Sequence, residues 1–285
     1  MHRYLIALLM LAAIAPALAQ SSRHDPLSAY LSALPSKPTV VESAPQSYRL
    51  ITNYFTFDSA GNLTGKERVS GDYTRGLPGG TVRWNNVLIS HASGLTDPFP
   101  AGATRAYMDG FTYKLSDFGK SFQPSFFAGF PDEMETKSMV WDVGMFEVFA
   151  RYFLGNLKLN TPYPLTLPDT MFPGGGSFHN RRPELTWVGI SKQDGKTCAV
   201  IQYEALFNNL NFTTNGVPVK GTSSYWGTIW VRLDTLTIEY GTLREDVLAN
   251  VVVPSANGKQ TLIINTIRKA TFARIASGDV QTTQP

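Results

Sequence analysis

The sequence contains one cysteine, Cys198, among 285 residues, so no disulfide can form within a single chain. Charged residues make up 16% and hydrophobic residues 43%, a balance that excludes an intrinsically disordered chain. The formal net charge is +3 without a long basic run, which argues against a dedicated nucleic-acid binder. Beyond the first twenty residues no apolar run approaches the roughly 20 residues of a membrane-spanning helix. We therefore expect neither a nucleic-acid partner nor a transmembrane anchor.

Recognised catalytic and metal signatures are also missing. The sequence has no nucleophile elbow around a serine, no paired-histidine zinc helix, no CxxC pair and no phosphate-binding glycine loop. Beyond residue 19 the histidines are His24, His91 and His179, and they are far apart in the sequence. No metal site and no cofactor are therefore expected, and Cys198, in a strand-like apolar run, is predicted to pack as a hydrophobe.

The N-terminus has the pattern of a secretory signal peptide. Arg3 is followed by an apolar stretch over residues 4–14, then by Pro16 and the sequence Ala-Leu-Ala ending at Ala19. We expect residues 1–19 to be removed. Gln20 stands where a lipoprotein would have its cysteine, so the mature protein is predicted to be free in the periplasm or secreted.

Hydrophobic periodicity predicts a mainly β chain. Residues 25–34 read as a short amphipathic N-terminal helix that Pro35 and Pro38 end. A second helix is predicted over residues 142–154, with Asp142 as its cap and a wide apolar stripe. Period-two alternation predicts strands over residues 48–57, 63–73, 81–91, 184–191, 196–207, 223–233, 237–253 and 260–275, and a strand pair or one long strand over 103–116.

We therefore predict a curved antiparallel sheet or open β-barrel of about ten strands, with a helix packed against it. No repeat, charge block or linker divides the chain, so residues 20–276 are predicted to form one β-rich domain. Residues 277–285 are predicted to be a disordered tail. Residues 160–183, which hold five prolines and a glycine triplet, are predicted to form an irregular loop.

Aromatic residues provide the first candidate site. The chain has more rings than a simple sandwich needs between its sheets, and the strand 225–233 is partly apolar on both faces, as expected where a sheet encloses a cavity or packs on both sides. Any single ring could instead be ordinary core. The aromatic candidates for ligand binding are Trp84, Tyr107, Phe146, Phe149, Tyr225 and Trp226.

Charged residues add two further candidates. Alternation places Glu245 on the apolar side of its strand, where it could act as a general acid or base or be neutralised by a neighbour such as Arg268. Arg181 and Arg182, which follow His179, could clamp an anionic headgroup or could simply be solvated arginines paired with surface acids.

The order of these elements resembles the periplasmic lipoprotein carriers of the LolA and LolB class. The resemblance is carried by the helix 25–34, the strand 80–84, the Asp-Gly turn within 107–113, the helical segment 145–154 and the hairpin 192–196. It implies a signal peptide and an N-terminal helix before an antiparallel sheet curved into an open barrel, whose concave side is covered by helices and binds lipid. No catalytic residue is carried over.

The sequence thus favours an exported binding protein for a hydrophobic or amphipathic small molecule such as a lipid. One alternative is an extracytoplasmic enzyme of the same architecture that uses Glu245 with His179 or Tyr225. Another is an envelope interaction protein that displays the loop 160–183 to a protein partner.

Overall fold

The computed structural model describes residues 45–131, 133–153, 155–167, 169–171, 176–214, 216–255 and 258–275. Within these ranges the chain forms one large antiparallel sheet, which does not close on itself, and a helix packs against it. The expected fold class, mainly β with an antiparallel sheet and a packed helix, is confirmed. The predicted signal peptide, the N-terminal helix 25–34 and the tail 277–285 lie outside the described residues.

Thirteen strands are present in this part of the chain. In chain order they are β1 (Gln46–Asp58), β2 (Leu63–Leu77), β3 (Thr81–Ala92), β4 (Ala103–Thr104), β5 (Thr112–Lys114), β6 (Tyr163–Pro164), β7 (Thr170–Met171), β8 (Gly176–His179), β9 (Glu184–Gln193), β10 (Lys196–Thr214), β11 (Val217–Arg232), β12 (Ile238–Ser255) and β13 (Gly258–Arg274).

The first and the last strand of the described chain pair in the middle of the sheet. The main strand order is β4-β3-β2-β1-β13-β12-β11-β10-β8-β7, with β5 paired to β3, β9 to β10 and β6 to β9. Strands β1 and β13 are neighbours in the sheet although they lie at opposite ends of the described chain. This pairing brings residues of the first and last strands onto one face.

The single α-helix of the described chain, α1 (Met134–Phe153), begins eight residues before the predicted start at Asp142. The apolar stripe continues upstream, because Met139 and Val143 precede Phe146 at helical spacing and all three are fully buried. Asp142 is therefore inside the helix and not at its cap. Phe146 stacks at 5.4 Å on Phe272 of β13, which anchors the helix on the sheet.

The segment 103–116 has less regular strand than its alternation predicts. A first turn of 3-10 helix, η1 (Pro78–Gly80), lies between β2 and β3. Besides the short strands β4 and β5, the segment 103–116 contains η2 (Ala106–Met108), and two further 3-10 helices follow: η3 (Leu115–Phe122) and η4 (Pro124–Phe127). Phe118 of η3 packs on Gly144 of α1, where an added Cβ would lie 1.9 Å from the ring. This segment packs against the helix and does not pair as a strand. Such a long-range contact cannot be predicted from local alternation.

The predicted irregular loop 160–183 includes three short strands, β6, β7 and β8. Strand β8 pairs with β10 from Asn209 to Phe212, and this pairing depends on Gly176. That glycine has φ +120°, and a Cβ there would lie 2.4 Å from the backbone oxygen of Asn211. The last glycine of the triplet therefore permits a strand where the composition predicted none. Residues 168 and 172–175 lie outside the described residues.

Candidate functional site

A cavity of about 770 Å³ lies between α1 and the inward face of the sheet. Its apolar wall comes from the helix, from η3 and from the inward positions of the long strands. These side chains include Phe118, Phe122, Trp141, Met145, Val148, Phe149, Val219, Val247, Ala249, Val251 and Ile264. The volume is within the range of about 300–1,000 Å³ that is usual for small-molecule sites.

A row of polar side chains crosses six adjacent strands and lines this cavity. Each member of the row is directly opposite the next in the register of the sheet, so neighbouring side chains are within contact distance. From β3 to β11 the row, here called the polar row, is His91, Glu67, Tyr54, Arg268, Glu245 and Tyr225.

The polar row separates the closed core from the open cavity. On one side of the row, the next inward residues on β1, β13 and β12 are Thr52, Ala270 and Leu243. They are buried at 0–3% exposure and do not line the cavity. On the other side of the row, the next inward residues on the same three strands are Thr56, Thr266 and Val247, and all three line the cavity. The polar row therefore stands at one end of a mostly apolar chamber.

Arg268 binds two carboxylates at once. Its Nη1 donates to Oε2 of Glu245, and its Nη2 donates to Oδ2 of Asp142 on α1 at 2.5 Å. Ser223 Oγ donates to the other oxygen of Glu245 at 2.5 Å, and the guanidinium lies 5.3 Å from the ring centroid of Tyr54. Pairing of Glu245 with Arg268, one of the two roles expected for this acid, is confirmed.

Burial of this cluster perturbs the titration of Asp142. The side chains of Asp142, Glu245 and Arg268 are only 8%, 10% and 13% exposed. Desolvation raises the pKa of Asp142 to about 6. The positive charge of Arg268 opposes this rise, and the negative charge of Glu245 adds to it. Two carboxylates share one cation here, and the cluster has a net charge of −1 when all three groups are ionised.

Glu67 has no such cation. Its Oε2 lies 3.1 Å from Nδ1 of His91, while its Oε1 is buried without a hydrogen-bond partner among the described residues. Desolvation, reinforced by the nearby charge of Glu135, raises the pKa of Glu67 to about 7. Tyr54 is directly opposite Glu67 in the sheet, and its hydroxyl is likewise buried and unpartnered in the described chain. Unsatisfied buried polar atoms in a cavity wall are candidates for ligand contacts.

A second buried ion pair joins the helix to the sheet outside this cavity. Nη1 of Arg75 on β2 lies 2.6 Å from Oε2 of Glu147, and burial raises the pKa of Glu147. Glu147 and Asp142 are both on α1, so two carboxylates of the helix meet two arginines of the sheet. This second pair has a structural role in holding α1 in place.

Three of the residues predicted as ligand contacts line the cavity: Phe149, Tyr225 and Glu245. The Phe149 ring lies 5.3 Å from that of Tyr203, and the Tyr225 hydroxyl donates to Oδ1 of Asn180 at 2.8 Å. Glu245 and Tyr225 are adjacent members of the polar row.

The other predicted contacts lie elsewhere. Trp84 and Phe146 are fully buried in the packed core, and Tyr107 donates to Oε2 of Glu133 at 2.5 Å. Trp226 is 41% exposed on the opposite face of the sheet from Tyr225. His179 at the end of β8 is exposed, and so are Arg181 and Arg182, which follow it.

The arrangement around His179 does not bring it to Glu245. Its Nδ1 is hydrogen-bonded to Asp169, and it does not line the cavity. Sequence reasoning missed Tyr54 and Glu67 as site residues. Alternation alone places both on the inward faces of β1 and β2, but only the register between strands puts them beside Arg268.

No helix within the described ranges combines the length and the apolar composition needed to cross a bilayer. A scan against models of protein families and a search of curated proteins found no match to this chain.

Proposed function

We propose that this chain is an exported binding protein for a hydrophobic or amphipathic small molecule, such as a lipid, and that the ligand occupies the cavity under α1. The observation that carries the proposal is the cavity itself, about 770 Å³ of space with apolar walls and the polar row at one end. A few polar groups in an apolar chamber are the usual design of a small-molecule site.

The energetics of the cavity support an apolar ligand body. Each methylene that leaves water for an apolar wall contributes about 0.8 kcal/mol. Affinity should therefore rise with chain length until the ligand fills the space beyond the polar row, where Val247, Ala249 and Ile264 form the wall.

Export is part of the proposal and is supported by the sequence. Arg3, the apolar residues 4–14 and the Ala-Leu-Ala pattern before Gln20 together have the form of a signal peptide. N-terminal sequencing of the mature protein tests this part: a chain that begins at Gln20 supports it, and an intact Met1 on cytosolic protein contradicts it.

The geometry favours binding over the two alternatives. Both carboxylate oxygens of Glu245 already accept hydrogen bonds, from Ser223 and Arg268, which leaves this acid poorly placed for proton transfer. The predicted loop 160–183 contributes Leu167, Thr170 and Phe178 to the cavity wall. These residues of the loop are thus turned to the cavity, as a ligand site needs and a displayed partner surface does not.

A blocking substitution with a matched control tests the proposal. Val247 points into the cavity, while the next residue, Leu248, is 52% exposed on the other face of β12. Val247→Phe places a bulky ring inside the chamber, and Leu248→Phe adds a ring of the same kind to the same strand outside it. We expect Val247→Phe to weaken binding of a twelve-carbon alcohol at least about tenfold, and Leu248→Phe to leave it unchanged.

Trp141 provides the readout, because it lies in the cavity wall. Tryptophan fluorescence should change on ligand addition, and Trp141→Phe should remove most of that change without removing binding measured by calorimetry. A flat response to alcohols and fatty acids of eight to sixteen carbons, by both methods, would contradict the proposed function. Native mass spectrometry of protein purified from its own host would show a retained ligand as added mass.

A further inference from the structure

The charges that face the cavity are mostly negative. Four carboxylates line it, and Arg268 is shared by two of them, Asp142 and Glu245. Lys66 does not balance the others, because it alternates with Glu67 along β2 and its Nζ donates to the backbone oxygens of Leu95, at 2.9 Å, and Asp97. The four carboxylates are Glu67, Glu135, Asp142 and Glu245.

Glu67 is a cavity carboxylate that no arginine or lysine of the described chain contacts. Arg268 is two strands away, on the far side of Tyr54, which corresponds to about 9–10 Å from the spacing of strands in a sheet. Arg105, another cation of this region, is bound to Glu133 at 2.7 Å. The buried Oε1 of Glu67 and the buried Tyr54 hydroxyl belong to residues directly opposite each other in the sheet, and neither atom has a hydrogen-bond partner in the described chain.

On the basis of the proposed function, we infer that the ligand carries an ammonium group on an apolar chain, and that this group binds Glu67 and the Tyr54 hydroxyl while the chain fills the cavity. An ammonium has three donors and a positive charge, which suit a carboxylate oxygen and a phenol oxygen on neighbouring strands. A fatty acid would bring a like charge next to Glu67 and Glu135, and a neutral alcohol would satisfy a hydrogen bond without the charge.

The arginines that the sequence suggested for an anionic headgroup do not oppose this assignment. Arg181 and Arg182 are exposed and do not line the cavity. Ammonium chemistry could come from a free alkyl amine or from the headgroup of an ethanolamine phospholipid, in which a phosphate stands near the ammonium. The test therefore includes both sources.

The experiment compares three twelve-carbon probes that share one tail: dodecylamine, dodecanol and dodecanoate, at pH 8 and below their micelle concentrations. Binding to the full chain is measured by calorimetry and by Trp141 fluorescence. We expect dodecylamine to bind at least about tenfold more tightly than dodecanol, and dodecanoate to bind most weakly.

Two variants and a control locate the headgroup. Glu67→Gln keeps the shape of the side chain and removes its charge, so dodecylamine should fall to the affinity of dodecanol, with dodecanol itself changed less than about twofold. Tyr54→Phe keeps the ring beside Arg268 and removes one acceptor, so it should weaken dodecylamine severalfold. Glu204→Gln removes an exposed carboxylate from the opposite face of the sheet and should change nothing.

The outcomes separate this inference from the proposed function. If dodecanoate binds as well as dodecylamine, or if Glu67→Gln keeps the preference for the amine, the inference is overturned, while loss of binding in Val247→Phe still supports the proposed function. If none of the probes binds, the proposed function is contradicted, and the inference that rests on it is contradicted with it.

A lyso-phosphatidylethanolamine that binds through Glu67 more tightly than dodecylamine identifies the phospholipid headgroup as the source of the ammonium group, and weaker binding identifies the free amine. Thermal unfolding of each variant shows that it is folded.

Discussion

Nη2 of Arg268 lies 2.5 Å from Oδ2 of Asp142, a residue 126 positions earlier in the chain. The contact joins β13, the last strand in chain order, to the middle of the one described α-helix. Because Arg268 also holds Glu245, one guanidinium positions the helix over the sheet and closes one end of the cavity. Both the stability of the fold and the shape of the site depend on it.

Replacing Arg268 should strongly destabilise the folded protein. Arg268→Met would leave the carboxylates of Asp142 and Glu245 buried side by side without their cation. Removal of one partner from a buried ion pair typically costs about 3–5 kcal/mol. We expect a loss of that size in the free energy of unfolding by urea denaturation at pH 7.5, and less than about 0.5 kcal/mol for Arg244→Met, on the exposed face of β12. Equal effects of the two substitutions would contradict a structural role for the cluster.

Asp142 should make the protein less stable as the pH rises. Its pKa in the folded chain is about 6, against 3.8 for an ordinary aspartate, so between these values the folded state binds more protons than the unfolded state. The free energy of unfolding then falls as pH increases through this window, by up to about 1.4 kcal/mol per pH unit for one group.

Asp142→Asn tests this directly, because asparagine resembles the protonated form and leaves Arg268 with Glu245. We expect the decrease in stability between pH 4 and pH 6 to be smaller in the variant than in the wild type, in parallel urea titrations. At pH 8 the substitution should cost much less than Arg268→Met. An unchanged pH profile would show that Asp142 is not the group that titrates.

Binding of dodecylamine should weaken as the pH falls through about 7, the pKa of Glu67 in the folded chain. Protonation removes the charge of Glu67, while an alkyl ammonium, with a pKa near that of lysine at about 10.4, stays charged. Dodecanol affinity should stay constant over pH 5.5–8.5. The other charged or titratable groups that face Glu67 are His91, Tyr54, Glu135, Glu133 and Arg105.

His91 is the competing explanation for that pH dependence, since its ring contacts Glu67 at 3.1 Å. His91→Asn removes the imidazole and leaves Glu67 in place. The pH dependence of dodecylamine binding should persist in this variant and disappear in Glu67→Gln. The opposite pattern would assign the titration to His91.

The two phenylalanines of α1 should differ in their contribution to stability. Phe146 is fully buried and stacked on Phe272, so Phe146→Ala should cost about 3–5 kcal/mol. Phe149 is only 2% exposed but also lines the cavity, so the space left by its ring would join an existing void and not open a new one, and Phe149→Ala should cost less. Phe149→Ala should also enlarge the cavity and change which chain length binds best. Equal losses of stability would mean that Phe149 is ordinary core.

The sequence alone predicted much of the architecture. Period-two alternation identified the long strands, placed Glu245 on the apolar face of β12 and named Arg268 as a neutralising neighbour. These are local properties, since side chains two residues apart share a face of a strand. It misplaced the start of α1, because Asp142 has the character of a cap residue and the apolar stripe upstream was not counted with the helix.

The polar row could not be predicted in the same way. Tyr54 and Glu67 carry no local signal of function, and they become part of a site only because β1 pairs with β13 on one side and with β2 on the other. A register shift of one residue would turn every one of these side chains to the opposite face. Long-range register, and with it the choice of neighbours, is decided by the packing of the whole sheet.

For this protein the sequence by itself determined the secondary structure of the long strands and the inward or outward direction of their side chains, because both follow from chemistry repeated within a few residues. Only the tertiary structure decided that the inward rings of Phe146 and Phe272 close into a core while Val247 and Ile264 face open space. The difference lies in where α1 crosses the sheet. That crossing is held by Asp142 with Arg268 and by Glu147 with Arg75, pairs whose members are far apart in the chain and meet only when the fold is complete.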